Sequence, residues 1–115
     1  MSSHTEPTTE EVATRIAGSL SVAMNCIVLV RSELDLQSPE GMIFRDLLLH
    51  VVDEMDWLDS ALTHGLHVDG IVWPADAKAR SSRLRRAVQL WKTGPIPAEL
   101  REATEQGIGG LWSIS

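Results

Sequence analysis

The sequence predicts an all-α fold made of two long antiparallel helices, a shorter basic helix and a short C-terminal helix, assembled as a helical-bundle homodimer. Two observations predict the helices: apolar residues recur every three or four positions, and helix-capping or helix-stopping residues bracket each such run. A third observation concerns the assembly of the protein. Two helices of about 25 residues would each be roughly 38 Å long, whereas a compact domain of this length has a radius of gyration of about 13 Å. We therefore expect an elongated hairpin, or a dimer that covers the overhang.

The stretch 39–64 has the clearest helical pattern. Its apolar residues alternate in spacing between four and three and lie within about 40° of one line at 100° per residue, which is a packing seam. They are Phe44, Leu48, Val51, Met55, Leu58 and Leu62. We expect Ser38 to cap the start, Pro39 to take the first helical position and Gly65 to lie at the C′ position.

The sequence predicts a disordered N-terminus, residues 1–7, followed by a single helical domain, residues 8–115. Thr8 and Glu11 have capping-box spacing, so the first helix is predicted to start at Thr8 and to run to Leu36. Its seam consists of Ile16, Leu20, Ala23, Ile27, Val30 and Leu34.

The middle of the first helix, between Val22 and Val30, is apolar over more than one face. A two-fold interface is the commonest way to bury such surface. The predicted dimer-interface residues are Leu20, Met24, Ile27 and Val28.

The third helix is predicted over Ala75–Thr93 with Gly94 as its stop, and a short fourth helix over residues 97–106. The apolar stripe of the third helix consists of Leu84, Ala87, Val88 and Trp91. A short extended segment, residues 71–73, is expected to tuck against the helices.

Composition restricts the function. The net charge of −6 argues against a general binder of nucleic acid or anionic membranes. The single cysteine, Cys26, excludes an intrachain disulfide and fits a reducing cytoplasm. The longest apolar run, Val22–Val30, is too short to span a bilayer. We expect a cytoplasmic protein without a membrane partner.

The charges are divided between two helices. Residues 76–92 carry six bases and one acid, whereas residues 39–64 carry six acids and one base. One hypothesis is a nucleic-acid-binding protein that uses the basic helix 75–93. The favoured interpretation is a solvated face that complements the acidic helix, within the fold or across a dimer.

A second alternative is a metal-dependent helical hydrolase. His50 lies one helical turn from Asp46 and Glu54, with Asp53 beside it. However, the sequence contains no HExxH motif and no paired Glu-x-x-His motif. We therefore expect no catalytic residues, no metal and no cofactor, and we do not predict an enzyme.

The first turns of the central helix carry apolar residues over a wider arc than one seam can bury. An apolar helix end beside acidic residues can enter a hydrophobic groove on another protein. The predicted partner-binding residues are Met42, Ile43, Phe44, Leu47 and Trp57. The alternative is that a dimer or the Leu111–Trp112 tail covers this end.

The chain is small and acidic, and its two long helices are followed by the segment LHVDGIVWPADAKARSSRLRRAVQLWKTG. In this order of elements it resembles the helical antiactivators of LuxR-type quorum-sensing regulators, the QslA type. The resemblance covers the order of elements along the chain and rests on no short motif. It implies a homodimer that binds the regulator's ligand-binding domain, blocks that domain's self-association and keeps it off DNA. It carries over no interface residues. The expected partner is therefore another protein, a transcriptional regulator, and not nucleic acid directly.

Overall fold

The computed structural model describes residues 8–66 and 73–108, and within these ranges the chain forms four helices and one two-stranded sheet. The helices are α1 (Thr9–Arg31), α2 (Glu40–Thr63), α3 (Ala77–Leu90) and α4 (Ala98–Ile108), and the strands are β1 (Asp35–Leu36) and β2 (Gly94–Pro95). The predicted all-α fold is confirmed. The predictions for residues 1–7, for most of the extended segment and for the Leu111–Trp112 tail lie outside the described residues.

The four helices pack in a ring: α1 on α2, α2 on α3, α3 on α4, and α4 back on α1. The predicted seam of α2 is confirmed, because its first five residues are buried and Leu62 is partly buried against the core. The predicted stripe of α3 is buried as well. The Cα radius of gyration is 15.1 Å and the longest dimension is 49 Å, so the chain is elongated, as the helix lengths predict.

The start of α1 is as predicted, but its end is not. The Thr8 hydroxyl accepts a hydrogen bond from the Glu11 amide at 3.1 Å. The helix then stops at Arg31 instead of Leu36, because Glu33 adopts a left-handed φ of 56° and β1 pairs antiparallel with β2. This small sheet joins the α1–α2 loop to the α3–α4 loop at one end of the bundle.

At the two ends of α2, one prediction is wrong and one is correct. Ser38 is not the cap: the N-cap position is Pro39, with no side-chain capping hydrogen bond. Gly65 does lie at C′, with φ of 101°. Its amide donates to the Leu62 carbonyl, and the Leu66 amide donates to the Ala61 carbonyl, which is the Schellman arrangement.

Helix α1 has more apolar surface than the core uses. By length and composition, Glu10–Arg31 could cross a membrane, with a mean hydropathy of 1.6, yet only 33% of this stretch is buried. Core helices pass the same test, and one side of α1 does pack against α2 and α4. The opposite side remains exposed and carries apolar residues.

Candidate protein-binding surfaces

The first turns of α2 present three exposed apolar side chains. Met42 is 55% exposed, Ile43 60% and Leu47 38%. They are exposed because α2 turns its buried face, with Gly41 and Phe44, toward the core. We call Met42, Ile43 and Leu47 the α2 surface. Large apolar side chains that stand together on a helix are typical of contact sites.

Phe44 does not belong to this surface, which corrects the sequence-based prediction. It is only 3% exposed and packs edge-to-face on Trp91, with ring centroids 6.0 Å apart. The sequence places Phe44 both in the core seam and on the partner surface, and its burial confirms the core seam. A partner cannot reach Phe44 without unfolding the bundle.

Trp57 is also less available than predicted. The Arg15 guanidinium from α1 lies 3.7 Å from the centroid of its ring. The Arg15 Nε donates to Glu54 at 2.6 Å, and its Nη2 donates to the other carboxylate oxygen at 3.1 Å. Trp57 is therefore half-buried beneath an ion pair that joins α1 to α2.

Acidic side chains flank the α2 surface. Glu40 and Asp46 are exposed on the same turns of α2 as Met42 and Leu47. Within the described ranges neither carboxylate forms an ion pair, so their charge is available to a partner. The α2 surface is thus an apolar patch with an acidic border.

The outward side of α1 forms a second exposed apolar strip. Met24 is 53% exposed and Val28 58%. Continuing the four–three spacing toward the N-terminus gives Ser21, Ala17 and Thr14, which are also exposed. We call these five residues the α1 surface. It contains no charge over its whole length, unlike an ordinary solvated helix face.

The predicted dimer interface overlaps this strip only in part. Met24 and Val28 are on the α1 surface, but Ile27 is 4% exposed and belongs to the core, so it cannot form a dimer contact. Leu20 is partly buried against the core. The core side of α1 includes Cys26 together with Ile27.

Gly18 lies beside the α1 surface and is exposed. Among residues 8–66 and 73–108, no atom would lie within 4 Å of a Cβ built on Gly18. Glycine in a helix interior costs about 1 kcal/mol relative to alanine, and the described residues show no close contact that requires a glycine here. A glycine beside Ala17 and Ser21 is what allows a second helix to approach closely.

The basic helix α3 is tied to the acidic helix α2. The Arg85 Nη2 lies 2.9 Å from the Asp53 carboxylate and 2.8 Å from the Asp56 carboxylate, and the Lys78 Nζ lies 3.8 Å from Asp56. The Ser81 hydroxyl donates to Asp56 at 2.7 Å. The two charge blocks therefore complement each other within one fold.

This network changes the ionisation of its members. Partial burial pushes the pKa of Asp56 upward, but the hydrogen bonds from Ser81 and Arg85 and the charges of Lys78 and Arg85 outweigh it. The pKa of Asp56 consequently lies below its ordinary value. The hydrogen bonds to Asp53 and Asp56 raise the pKa of Arg85, which stays charged in any case.

Two further bases of α3 have partners outside α2. Arg80 pairs with Asp76 at 3.0 Å, and Arg83 pairs with Glu102 of α4 at 3.8 Å. Across the described part of the chain, only Arg86 among the bases on α3 itself forms no ion pair. Most of the charge that favoured nucleic-acid binding is therefore neutralised by the protein.

The histidine cluster of α2 does not assemble into a metal site. The His50 Nε2 lies 3.9 Å from Glu54, whose carboxylate is bound to Arg15. Over residues 8–66 and 73–108, no group of three or more His, Cys, Asp or Glu side chains is placed to hold a metal ion. Burial raises the pKa of Cys26 to about 11, so this thiol is unreactive.

Comparison of the chain with protein-family models, with curated proteins and with solved structures finds no match.

Proposed function

We propose that this chain is a cytoplasmic, non-enzymatic protein-binding module that acts as an antiactivator. It binds a transcriptional regulator of the LuxR quorum-sensing type and blocks the regulator's dimerisation and DNA binding. The observation that supports protein binding is the α2 surface, with its three exposed apolar residues and acidic border. The class of partner comes from the resemblance of the sequence.

The α2 surface suits a helix-in-groove contact. Ile43 and Leu47 are four residues apart, which is the spacing with which an amphipathic helix anchors in an apolar groove, and Met42 is exposed on the same turn as Ile43. A central apolar cluster with a charged rim is also the usual layout of a protein interface. Burial of such anchors supplies most of the affinity, and the carboxylates of Glu40 and Asp46 then select for a basic rim on the partner.

The α1 surface supports a second part of the proposal, which is that the chain works as a homodimer. A two-fold axis near Ser21 places Ala17 of one copy beside Met24 of the other, so small residues receive large ones. Gly18 lets the two helices approach closely at the axis. The strip is about 21 Å long, which is short for a standard interface, so we expect micromolar affinity.

The main test uses the α2 surface. The double variant Ile43→Asp, Leu47→Asp should lose binding to a purified LuxR-type ligand-binding domain in a pull-down, and should no longer release the regulator from DNA. The control is Ser60→Asp, which adds a charge at an exposed position of the same helix. Circular dichroism checks that each variant folds. Full binding by a folded double variant would place the partner surface elsewhere.

The dimer is tested separately by sedimentation equilibrium. Val28→Asp should shift the association toward the monomer, because it buries an unpaired charge in the interface. A native chain that remains a 12.6 kDa monomer at high micromolar concentration would remove this part of the proposal.

The nucleic-acid hypothesis receives less support than protein binding. Four bases between residues 76 and 92 are within 4 Å of carboxylates, and the chain carries a net charge of −6. Phosphate binding requires an uncompensated basic face.

A further inference from the structure

The α1 surface lies next to α4 at one of its two ends. Val28, the last residue of this surface, is three residues before Arg31, so the two side chains are neighbours on one face of α1. Arg31 forms an ion pair with Glu105 of α4. The exposed apolar strip therefore begins one helical turn from the line along which α1 and α4 pack.

Helix α4 runs in the opposite direction to α1, so its last turn comes level with this strip. Arg101 pairs at 3.0 Å with Glu33, just beyond α1, and Glu105 pairs with Arg31. Residue numbers thus rise along α4 as they fall along α1. Because a helix rises about 1.5 Å per residue, the end of α4, three residues after Glu105, comes about level with Val28.

The residues that follow α4 lie outside the described ranges, but their composition matches that of the α1 surface. Residues 109–115, GGLWSIS, include three large apolar residues, Leu111, Trp112 and Ile114, and no Lys, Arg, Asp or Glu. The α1 surface also contains no charge, and it exposes Met24 and Val28. Contact between the two would remove apolar surface from water without burying a charged side chain.

The 109–115 segment is also long enough to cover the α1 surface. From Val28 to Thr14 this surface is about 21 Å long. An extended segment of this length, residues 109–115, spans at most about 23–25 Å, so it can follow the strip from the end of α4 toward Thr14. Its first two residues are glycines, which allow the backbone to turn sharply as it leaves α4.

We propose that the 109–115 segment docks on the α1 surface of its own chain and there competes with a second copy. The competition rests on the proposed homodimer. An attached segment acts at a high effective concentration, and the burial of its apolar side chains is opposed by the entropy of ordering its backbone. These contributions are of similar size, so we expect covered and uncovered forms in about equal amounts. Because a dimer requires both copies to be uncovered, the segment then raises the dimer Kd about fourfold.

A disulfide test detects the docked segment directly. Ser21→Cys on the α1 surface and Ser113→Cys in the segment keep every apolar residue that the contact uses. In the full chain, oxidised well below the dimer Kd, this pair should form an intrachain disulfide faster than the control pair Ser60→Cys, Ser113→Cys, because Ser60 is exposed on a different helix. Cys26 does not interfere, since it is buried and its pKa is raised to about 11. A rate no faster than that of the control overturns the proposal.

The effect of the segment on the dimer is measured by sedimentation equilibrium. The full-chain variant Leu111→Ser, Trp112→Ser should lower the dimer Kd about fourfold, because it removes the competitor. The control Ser113→Asn, in the same segment, should leave the dimer Kd unchanged, and circular dichroism checks that each variant folds. An unchanged Kd in the double variant shows that the segment does not compete, and a raised Kd shows that it belongs to the interface between copies. Either result overturns the proposal.

Failure of this inference and failure of the proposed dimer give different results. If the Ser21→Cys, Ser113→Cys pair forms only interchain disulfides, the segment covers a second copy and the proposal is wrong. If Ser21→Cys alone crosslinks two copies and the pair gives no intrachain disulfide, the dimer stands and the docked segment is refuted. If the intrachain disulfide forms in a chain that stays monomeric at high concentration, the docked segment stands and the proposed dimer is refuted.

Discussion

Replacing Gly18 by alanine should raise the stability of the fold and weaken its self-association at the same time. A Cβ at this position has free space, since no heavy atom of the described residues lies within 4 Å. The variant therefore gains the full difference in helix propensity, about 1 kcal/mol. For a chain of this length that gain corresponds to a rise in Tm of about 4 °C.

The same methyl group should disturb the proposed dimer. It enters the helix crossing once from each copy, and overpacking of close contacts costs about 1–3 kcal/mol. The dimer Kd should therefore rise by about tenfold or more. Urea unfolding at a concentration below the dimer Kd reports the monomer, because binding otherwise adds to the apparent stability. Sedimentation equilibrium at higher concentration reports the association.

Gly107→Ala is the matched control. A Cβ on Gly107 of α4 would lie 3.7 Å from the Arg80 carbonyl oxygen, an ordinary contact inside the monomer. This variant should leave self-association unchanged. If Gly18→Ala stabilises the monomer and leaves the dimer intact, Gly18 is not at the interface. If Gly18→Ala destabilises the monomer, the inference of free space around Gly18 is wrong.

Three further predictions concern the core and the α2–α3 network. Asp56→Asn should cost about 1 kcal/mol at pH 7, and the difference from the native chain should begin to shrink in urea unfolding below about pH 4 and disappear once pH falls through the lowered pKa of folded Asp56. The sign follows because the pKa of Asp56 is lowered on folding: its contribution is present above the unfolded pKa and is lost on protonation. Leu48→Ala, at a fully buried position, should lower the unfolding free energy by about 3 kcal/mol; a loss below about 1 kcal/mol would contradict its place in the core. Cys26 should react with a thiol reagent only after unfolding, because a pKa of about 11 instead of 9.0 lowers the thiolate fraction about a hundredfold at pH 8; rapid reaction of the folded chain would contradict this.

Structural features that depend only on neighbouring residues within one helix can be predicted from the sequence. The α2 seam and the Gly65 stop are correct because both follow from local spacing and backbone preference. The end of α1 is not predictable this way, since Asp35 pairs with Pro95, which is distant in sequence. A local rule extends the helix to Leu36, whereas pairing between two loops stops it at Arg31.

The candidate surfaces also include some features that the sequence predicts and others that only the packing of distant residues determines. Met42, Ile43 and Leu47 are predictable because they fall outside the seam of their own helix. The cover over Trp57 comes from Arg15, 42 positions earlier in the chain, and no spacing within α2 reveals it. The charge blocks suggest that α2 and α3 complement each other, but the choice of Arg85 over Arg86 depends on how the two helices face each other.

The ring of helices has a consequence for how the chain is synthesised. Helix α1 packs against α4 as well as against α2, and the ion pair of Arg31 with Glu105 joins residues 74 positions apart. Closing a loop of that length costs about 4 kcal/mol of chain entropy, and a helix as short as α4 is marginal in isolation. During translation, α1 therefore emerges before α4 and keeps one flank uncovered until α4 has left the ribosome. In this interval the nascent chain offers chaperones an apolar flank that the finished protein conceals.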